Sequence, residues 1–158
     1  MQKLTALLCF VLILLLGLAG WFYLGGTLRS EVYIQTAPAP DYPEAFNGIR
    51  ALLASASAPQ ALSGEAVSND PAAYTLVNIN VTLTNRGLFP AEWLDIRVAE
   101  PAPGDIAMYA LTGEGSDIPA RDSGQVNLKI ITTAKADAAR RIAIQYYVHG
   151  MKREITVR

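Results

Sequence analysis

Side chains with reactive chemistry are scarce in this chain. It has one cysteine and one histidine. Cys9 lies within an apolar run with Leu8 before it, so it reads as a small apolar side chain and not as a lipid-modified cysteine, which a small residue would precede. A single cysteine closes no disulfide, so whatever domain follows must be held by packing. His149 alone gives neither a Ser–His triad nor a multi-histidine metal centre, and no Gly-x-Ser-x-Gly, His-Glu-x-x-His or phosphate-cradling glycine pattern occurs. Carboxylate pairs remain, but the 14 acids are scattered and read as solvated surface charge rather than as a general acid and base. No long basic block is present and the formal net charge is -1, which removes the electrostatic footing of nucleic-acid binding. No catalytic residue, cofactor or metal ligand is therefore expected.

What the chain has in quantity is apolar length at its start. Residues 4–26, LTALLCFVLILLLGLAGWFYLGG, carry no charge, and at about 1.5 Å per residue they reach about 35 Å, enough to cross hydrocarbon with some tilt. The rival reading is a signal peptide cut after Gly17-Leu18-Ala19. Cutting there would leave Trp21, Phe22 and Tyr23 at a new N-terminus, whereas an uncleaved helix sets them where interfacial aromatic belts form. Retention is the expectation, with membrane lipid as the partner of residues 4–26. Lys3 precedes the run while Arg29 and Glu31 follow it, a bias toward a cytoplasmic N-terminus and an extracytoplasmic remainder. Residues 1–28 are thus expected to be a single-pass anchor in the cell membrane.

Past the anchor, SEVYIQTAPAPDYP runs from a β-branched and aromatic patch into Pro38, Pro40 and Pro43, a composition that reads as a stalk. Residues 42–56 set Tyr42, Phe46, Ile49, Leu52, Leu53 and Ala56 on one helical face, with Pro43 in the first turn and Asp41 as a cap. Residues 29–57 are accordingly expected to be a stalk with a short amphipathic helix. Residues 58–62 suit a short edge strand, where Pro59 is tolerated. From Tyr74 the period falls to two: Val77, Ile79, Val81 and Leu83 alternate with Asn78, Asn80, Thr82 and Thr84. Glu92 to Val98 repeats the pattern, DIAMYAL is apolar on both faces, and QVNLKIITT and RRIAIQYYV follow. MKREITVR closes the chain after His149-Gly150, a two-residue link that suits a hairpin.

Six such strands, with a seventh near residue 60 and no long helix between them, indicate an antiparallel sandwich. One stretch, LTNRGLFPAEW, interrupts the alternation. Asn85, Gly87 and Pro90 are expected to form the corner where the chain leaves one sheet for the other, with a positive φ at Gly87 and with Leu88 and Phe89 capping the core. At these residues the chain resembles bacterial surface modules of the CARDB and related immunoglobulin or fibronectin-like families, in which a strand ends in Thr-x-Asn-x-Gly before a Pro or Ala and a second strand. Here the match is Leu83-Thr84-Asn85-Arg86-Gly87 with Pro90-Ala91, and IPARDSGQVNLKI is similar to a later segment of the same families; the likeness covers residues 74 to about 132. It implies a mostly β, immunoglobulin-like antiparallel β-sandwich over residues 58–158, a role in adhesion or surface interaction, and no catalytic residues.

Two patches remain as sites. Gly113 to Asp122 places Glu114, Asp117 and Asp122 near Asp105 and faintly echoes a calcium-binding turn, but the preferred reading is a solvated hairpin loop whose glycines serve turn geometry. The outward faces of the later strands carry Trp93, Arg97, Tyr147 and Lys152, with Trp93 and Tyr147 expected as neighbours. Exposed Trp and Tyr beside cations are typical of protein contact surfaces. The ordinary alternative buries Trp93, through a bulge beside Phe89 or beneath helix 42–56. Arg140 and Arg141, with Lys152, Arg153 and Arg158, read as strand-edge protection, with contact to anionic head groups or wall polymers as the alternative. The expected function is a membrane-anchored, extracytoplasmic interaction or assembly module with a protein partner at the cell envelope. The alternative is an accessory subunit of an envelope enzyme or transporter engaged through its spanning helix.

Overall fold

Helix α1, Gln2–Leu24, takes up the apolar run in its 23 residues. Its segment Lys3–Trp21 is long and apolar enough to cross a membrane, and none of it is buried against the rest of the chain. The computed structural model describes residues 2–24, 28–53, 60–63, 66–110, 117–133 and 140–158. Within them the chain is mostly β and forms two antiparallel sheets.

The strands are β1 (Leu28–Pro38), β2 (Gln60–Ala61), β3 (Thr75–Asn85), β4 (Glu92–Glu100), β5 (Asp105–Ala110), β6 (Ser123–Thr132), β7 (Arg141–Val148) and β8 (Met151–Val157). One sheet has the order β1-β3-β6-β5-β2 and the other β4-β7-β8. The period-two positions do what alternation dictates. Val77, Ile79, Val81 and Leu83 from β3, Val126, Leu128 and Ile130 from β6, and Leu94, Ile96, Ile142, Ile144 and Tyr146 from the other sheet form one buried cluster. Each such side chain contributes roughly 1.5–3 kcal/mol on leaving water, and their shared burial is what holds the sheets face to face.

Helix α2, Pro43–Leu53, matches the expected amphipathic helix. Its Phe46 and Ile49 pack with Tyr74, Ile106, Ala107 and Ile131 on the outer face of the five-stranded sheet. That cover is why DIAMYAL is apolar on both faces. Tyr42, assigned to the apolar face, is 56% exposed, because the helix starts one residue after it and Phe46 N–H bonds back to its carbonyl. Ala56 lies outside the described residues.

Two expectations need correction. The segment read as the start of a stalk is strand β1, paired with β3 over its whole length from Leu28↔Asn85 to Pro38↔Thr75. Its first residue is fixed to the opposite sheet as well: Leu28 N–H donates to the buried Tyr146 hydroxyl at 3.1 Å. Only residues 25–27 separate it from α1. The second correction is Arg140. It is no surface guard; its guanidinium is buried and grips Asp105 at both carboxylate oxygens, Nη2 to Oδ1 at 2.7 Å and Nε to Oδ2 at 2.9 Å. Asp105 opens β5 and Arg140 precedes β7, so this pair ties the two sheets together at the end remote from Leu28. Arg141 does stay at the surface, paired with Glu100 at 2.6 Å.

The two arginine pairs make a direct comparison. Breaking a buried pair strands a charge in a dry site, which typically costs about 3–5 kcal/mol, while an exposed pair contributes about 0–1 kcal/mol. Arg140→Leu is therefore expected to lower urea-unfolding stability by about 3–5 kcal/mol, and Arg141→Leu by less than about 1 kcal/mol. Equal losses in the two variants would contradict the burial of Arg140.

Candidate functional site

The corner between β3 and β4 is built on Asn85, which is 2% exposed. Its Nδ2 group donates to the carbonyls of Phe89 (2.8 Å), Ile118 (3.2 Å) and Pro119 (3.1 Å), while its Oδ1 accepts from Gly87 N–H at 2.9 Å. Its backbone N–H reaches the Asp122 carbonyl. One side chain thus fixes the loop after β3 to residues 118–119 before β6, and the chain changes sheets here as expected. The means differ from the expectation. Gly87 is not among the residues with positive φ; what it supplies is a buried backbone N–H for Asn85. Leu88 points away from the core, 47% exposed, and only Phe89 is partly buried on it. Phe89 also meets His149 of the β7–β8 hairpin, ring centroids 3.7 Å apart. That hairpin turns on His149 (φ 53°) and Gly150 (φ 70°), the two positive φ values of a type I′ turn.

Beyond the corner, Ala91 pairs with Ile118 through two backbone hydrogen bonds. Trp93 follows, in a left-handed conformation at φ 55°. The β4–β7 register slips there, from Glu92↔Tyr147 to Asp95↔Gln145, so the residue sits in a bulge. Its backbone N–H, turned out of the ladder, donates to Asp117 Oδ1 at 3.0 Å. The indole is 71% exposed. Neither burial route for Trp93 is taken: the bulge throws the side chain outward, and α2 lies over the other sheet. A tryptophan in left-handed backbone, which costs roughly 1–2 kcal/mol over the right-handed form, and mostly in water is held against its own preferences. Such residues cluster at functional sites.

The register brings the other expected residues to the same face. Tyr147 stands opposite Glu92 on one side and Lys152 on the other, one residue from Trp93, and is 37% exposed. Arg97 lies further along β4, where it donates to Glu154 Oε2 at 3.1 Å beside Gln145 Nε2 at 2.8 Å. The face is therefore a strip. Its aromatic and cationic end is Trp93, Tyr147 and Lys152; its charge-paired end is Arg97, Gln145 and Glu154. Sequence reasoning missed the neighbours at the aromatic end, Leu88 and Met151, both exposed apolar side chains. Leu88 lies in the turn after β3 and Met151 opens β8, where alternation does not report which way a side chain faces.

The calcium reading falls partly outside the described residues, since Gly113, Glu114, Gly115 and Ser116 are not among them. The acids that are described have other work: Asp105 holds Arg140 and the Ala102 N–H, Asp117 holds the Trp93 N–H, and Asp122 accepts from Ser123 N–H. Among the described residues no group of three or more His, Cys, Asp or Glu is placed to hold a metal ion.

No family model matches the chain, and no curated protein does. A solved structure, the X-ray structure of Northeast Structural Genomics Consortium target SoR45, is similar over 83% of this chain and 81% of that one, with 14% sequence identity and a TM-score of 0.39. A likeness at that level assigns neither fold nor function, and the site is read from its own chemistry.

The corner and the tryptophan should respond in opposite ways. Asn85→Ala takes the acceptor from the buried Gly87 N–H and a donor from three carbonyls and is expected to lose about 1–3 kcal/mol in urea unfolding. Trp93→Gly removes little burial and relieves the left-handed backbone, so stability should stay within about 1 kcal/mol of the parent. A large loss from Trp93→Gly would mean that the indole supports the fold and is not presented by it.

Proposed function

We propose that this chain is a single-pass membrane protein whose β domain is an immunoglobulin-like sandwich held outside the cytoplasm, and that it serves as a non-catalytic interaction and assembly module. The fold reading is supported by strand order. Taking β1, β3, β4, β5, β6, β7 and β8 as strands A to G gives A-B-E-D in one sheet and C-F-G in the other, the arrangement of a constant-type immunoglobulin sandwich. The usual inter-sheet disulfide has no counterpart in the β domain, whose sheets are joined instead by Asp105–Arg140 and Leu28–Tyr146. The anchor reading is supported by the uncharged stretch of α1 that follows Lys3 and by the aromatic residues at the end of the helix.

The observation that carries the functional reading is Trp93, presented at 71% exposure from a strained bulge beside Tyr147 and Lys152. Aromatic anchors next to cations, on a rigid strand and not on a loose loop, make a contact surface at little cost in ordering entropy. The strip from Trp93 to Arg97 is the contact face of the domain, and its Arg97 end is the part offered to a protein partner at the envelope.

The test uses the full chain in its native membrane. A photoreactive side chain in place of Arg97 is expected to capture one identifiable protein, and the same group in place of Gln35, on the outer face of the other sheet, is expected to miss it. Protease added outside sealed cells should digest the β domain. Equal capture from both positions, or a protected β domain, would sink the reading. Loss of capture when α1 is exchanged for an unrelated spanning helix would favour the accessory-subunit alternative.

A further inference from the structure

Pairing register tells which end of the β domain faces α1. Leu28, the first residue of β1, pairs with Asn85 at the end of β3. Asn85 in turn holds the corner 86–91 and the segment 118–122, and Leu28 N–H reaches Tyr146 near the end of β7. The corner, the turn before β6, the β7–β8 hairpin and the Trp93 bulge are therefore all gathered at the end where the chain arrives from α1. Four Cα steps from Leu24 to Leu28 span at most about 14 Å. Because Leu28 is buried and hydrogen-bonded to the core, this end of the domain stays within that distance of the end of α1.

The surface at this end is unlike the rest. Leu88, Trp93 and Met151 are exposed at 47%, 71% and 40%, and Tyr147 lies between Glu92, the neighbour of Trp93, and Lys152 across the sheet. Phe89 against His149 links the Leu88 loop to the Met151 hairpin. Around these apolar tips stand the exposed cations Arg29, Arg86, Arg121 and Lys152. Of the nearby carboxylates, Asp117 and Asp122 are turned to backbone N–H groups, and the half-buried Glu92 stands opposite Tyr147.

We infer that this end of the domain rests on the lipid surface of the membrane that α1 crosses, with Trp93, Leu88 and Met151 entering the headgroup zone and the four cations meeting lipid phosphates. The inference deepens the proposed function and rests on its reading of α1 as a spanning helix. The chemistry is that of an interfacial surface: Trp and Tyr settle at the level where one edge of the ring is apolar and the other wet. Arg and Lys lay their stems along apolar neighbours while the charge reaches phosphate. The headgroup layer is only about 5–8 Å deep on each side, so the tether length alone brings the tips to it. Lipid is preferred over a protein at this end because the chain itself delivers the surface to the bilayer. The Arg97 end of the strip is then the part left for a protein, at a defined height.

The two tryptophans of the chain, Trp21 in α1 and Trp93, make the test direct. The full chain is reconstituted in vesicles of phosphatidylethanolamine and phosphatidylglycerol containing lipid brominated high on the acyl chains. Trp93 is read alone in Trp21→Phe, and Trp21 alone in Trp93→Gly. Both emissions are expected to be quenched by at least about twofold relative to unbrominated vesicles. A tryptophan replacing Gln35, at the far end of β1, in the chain lacking both natural tryptophans, is expected to be unaffected. Arg86→Glu with Arg121→Glu is expected to weaken the quenching of Trp93 and leave that of Trp21 unchanged. Quenching of Trp21 without Trp93 overturns the lipid contact while the anchor stands; quenching of neither removes the anchor reading as well. Trp93 unquenched in vesicles but shielded from iodide in native membranes would assign this end to a protein and overturn the inference.

Discussion

The amide of Asn85 is the constraint on which one whole end of this molecule depends. Its oxygen takes a backbone N–H while its nitrogen serves carbonyls from two separate segments. A carboxylate of the same shape would turn its charge on those carbonyls, and an apolar residue would take the acceptor from the Gly87 N–H and a donor from each carbonyl, so few side chains can hold this position. Through it the loop after β3 is fixed to residues 118–119, and Ala91 to Ile118 follows. Only once that bridge is set does Asp117 lie where it can accept the Trp93 N–H. The exposed tryptophan is thus a product of the corner.

The far end is held by a different kind of contact. Asp105 and Arg140 are both buried and meet at two points, and α2 covers the outer face of the large sheet there through Phe46 and Ile49. A buried ion pair adds little net stability over a well-packed apolar pair. What it supplies is geometry, since a bidentate fork is satisfied in one arrangement alone. In a β domain without cysteine, polar contacts buried at both ends, Leu28 to Tyr146 and Asp105 to Arg140, set how the two sheets meet. The apolar cluster between them supplies the driving force.

Strands β3, β4, β6, β7 and β8 were legible because each has one face on the core and one in water, and alternation is the direct record of that. Strand β1 was not. As an edge strand it has a poorly covered inner face, where Val32 is only partly buried and Ile34 is 49% exposed; Ser30 and Thr36 flank them on that face, so its pattern is faint and its prolines dominate the reading. Arg140 could not be read either, since its partner is 35 positions away and no local spacing reports a long-range pair. At the candidate site the residue types were legible and their outward parity held for Arg97, Tyr147 and Lys152. Trp93 reached the same surface by a bulge, and a one-residue slip of register leaves no trace in hydrophobic periodicity. Leu88 was misread for the opposite reason: in a turn, an apolar side chain has no period to say which way it faces.

The short link between helix and domain changes how such a molecule can work. A proline stalk would let the domain sample a range of heights above its anchor, and any contact it made would carry the entropy of ordering that stalk. Here β1 begins at once, is hydrogen-bonded to β3 along its full length and is tied to β7 at its first residue. The freedom has already been lost in folding. A surface built on strands held in this way is already ordered, so a contact made through it carries little entropy of ordering. The strained backbone at Trp93 fits the same logic: its unfavourable conformation is met once by the stability of the corner, and the side chain is ready before any partner arrives.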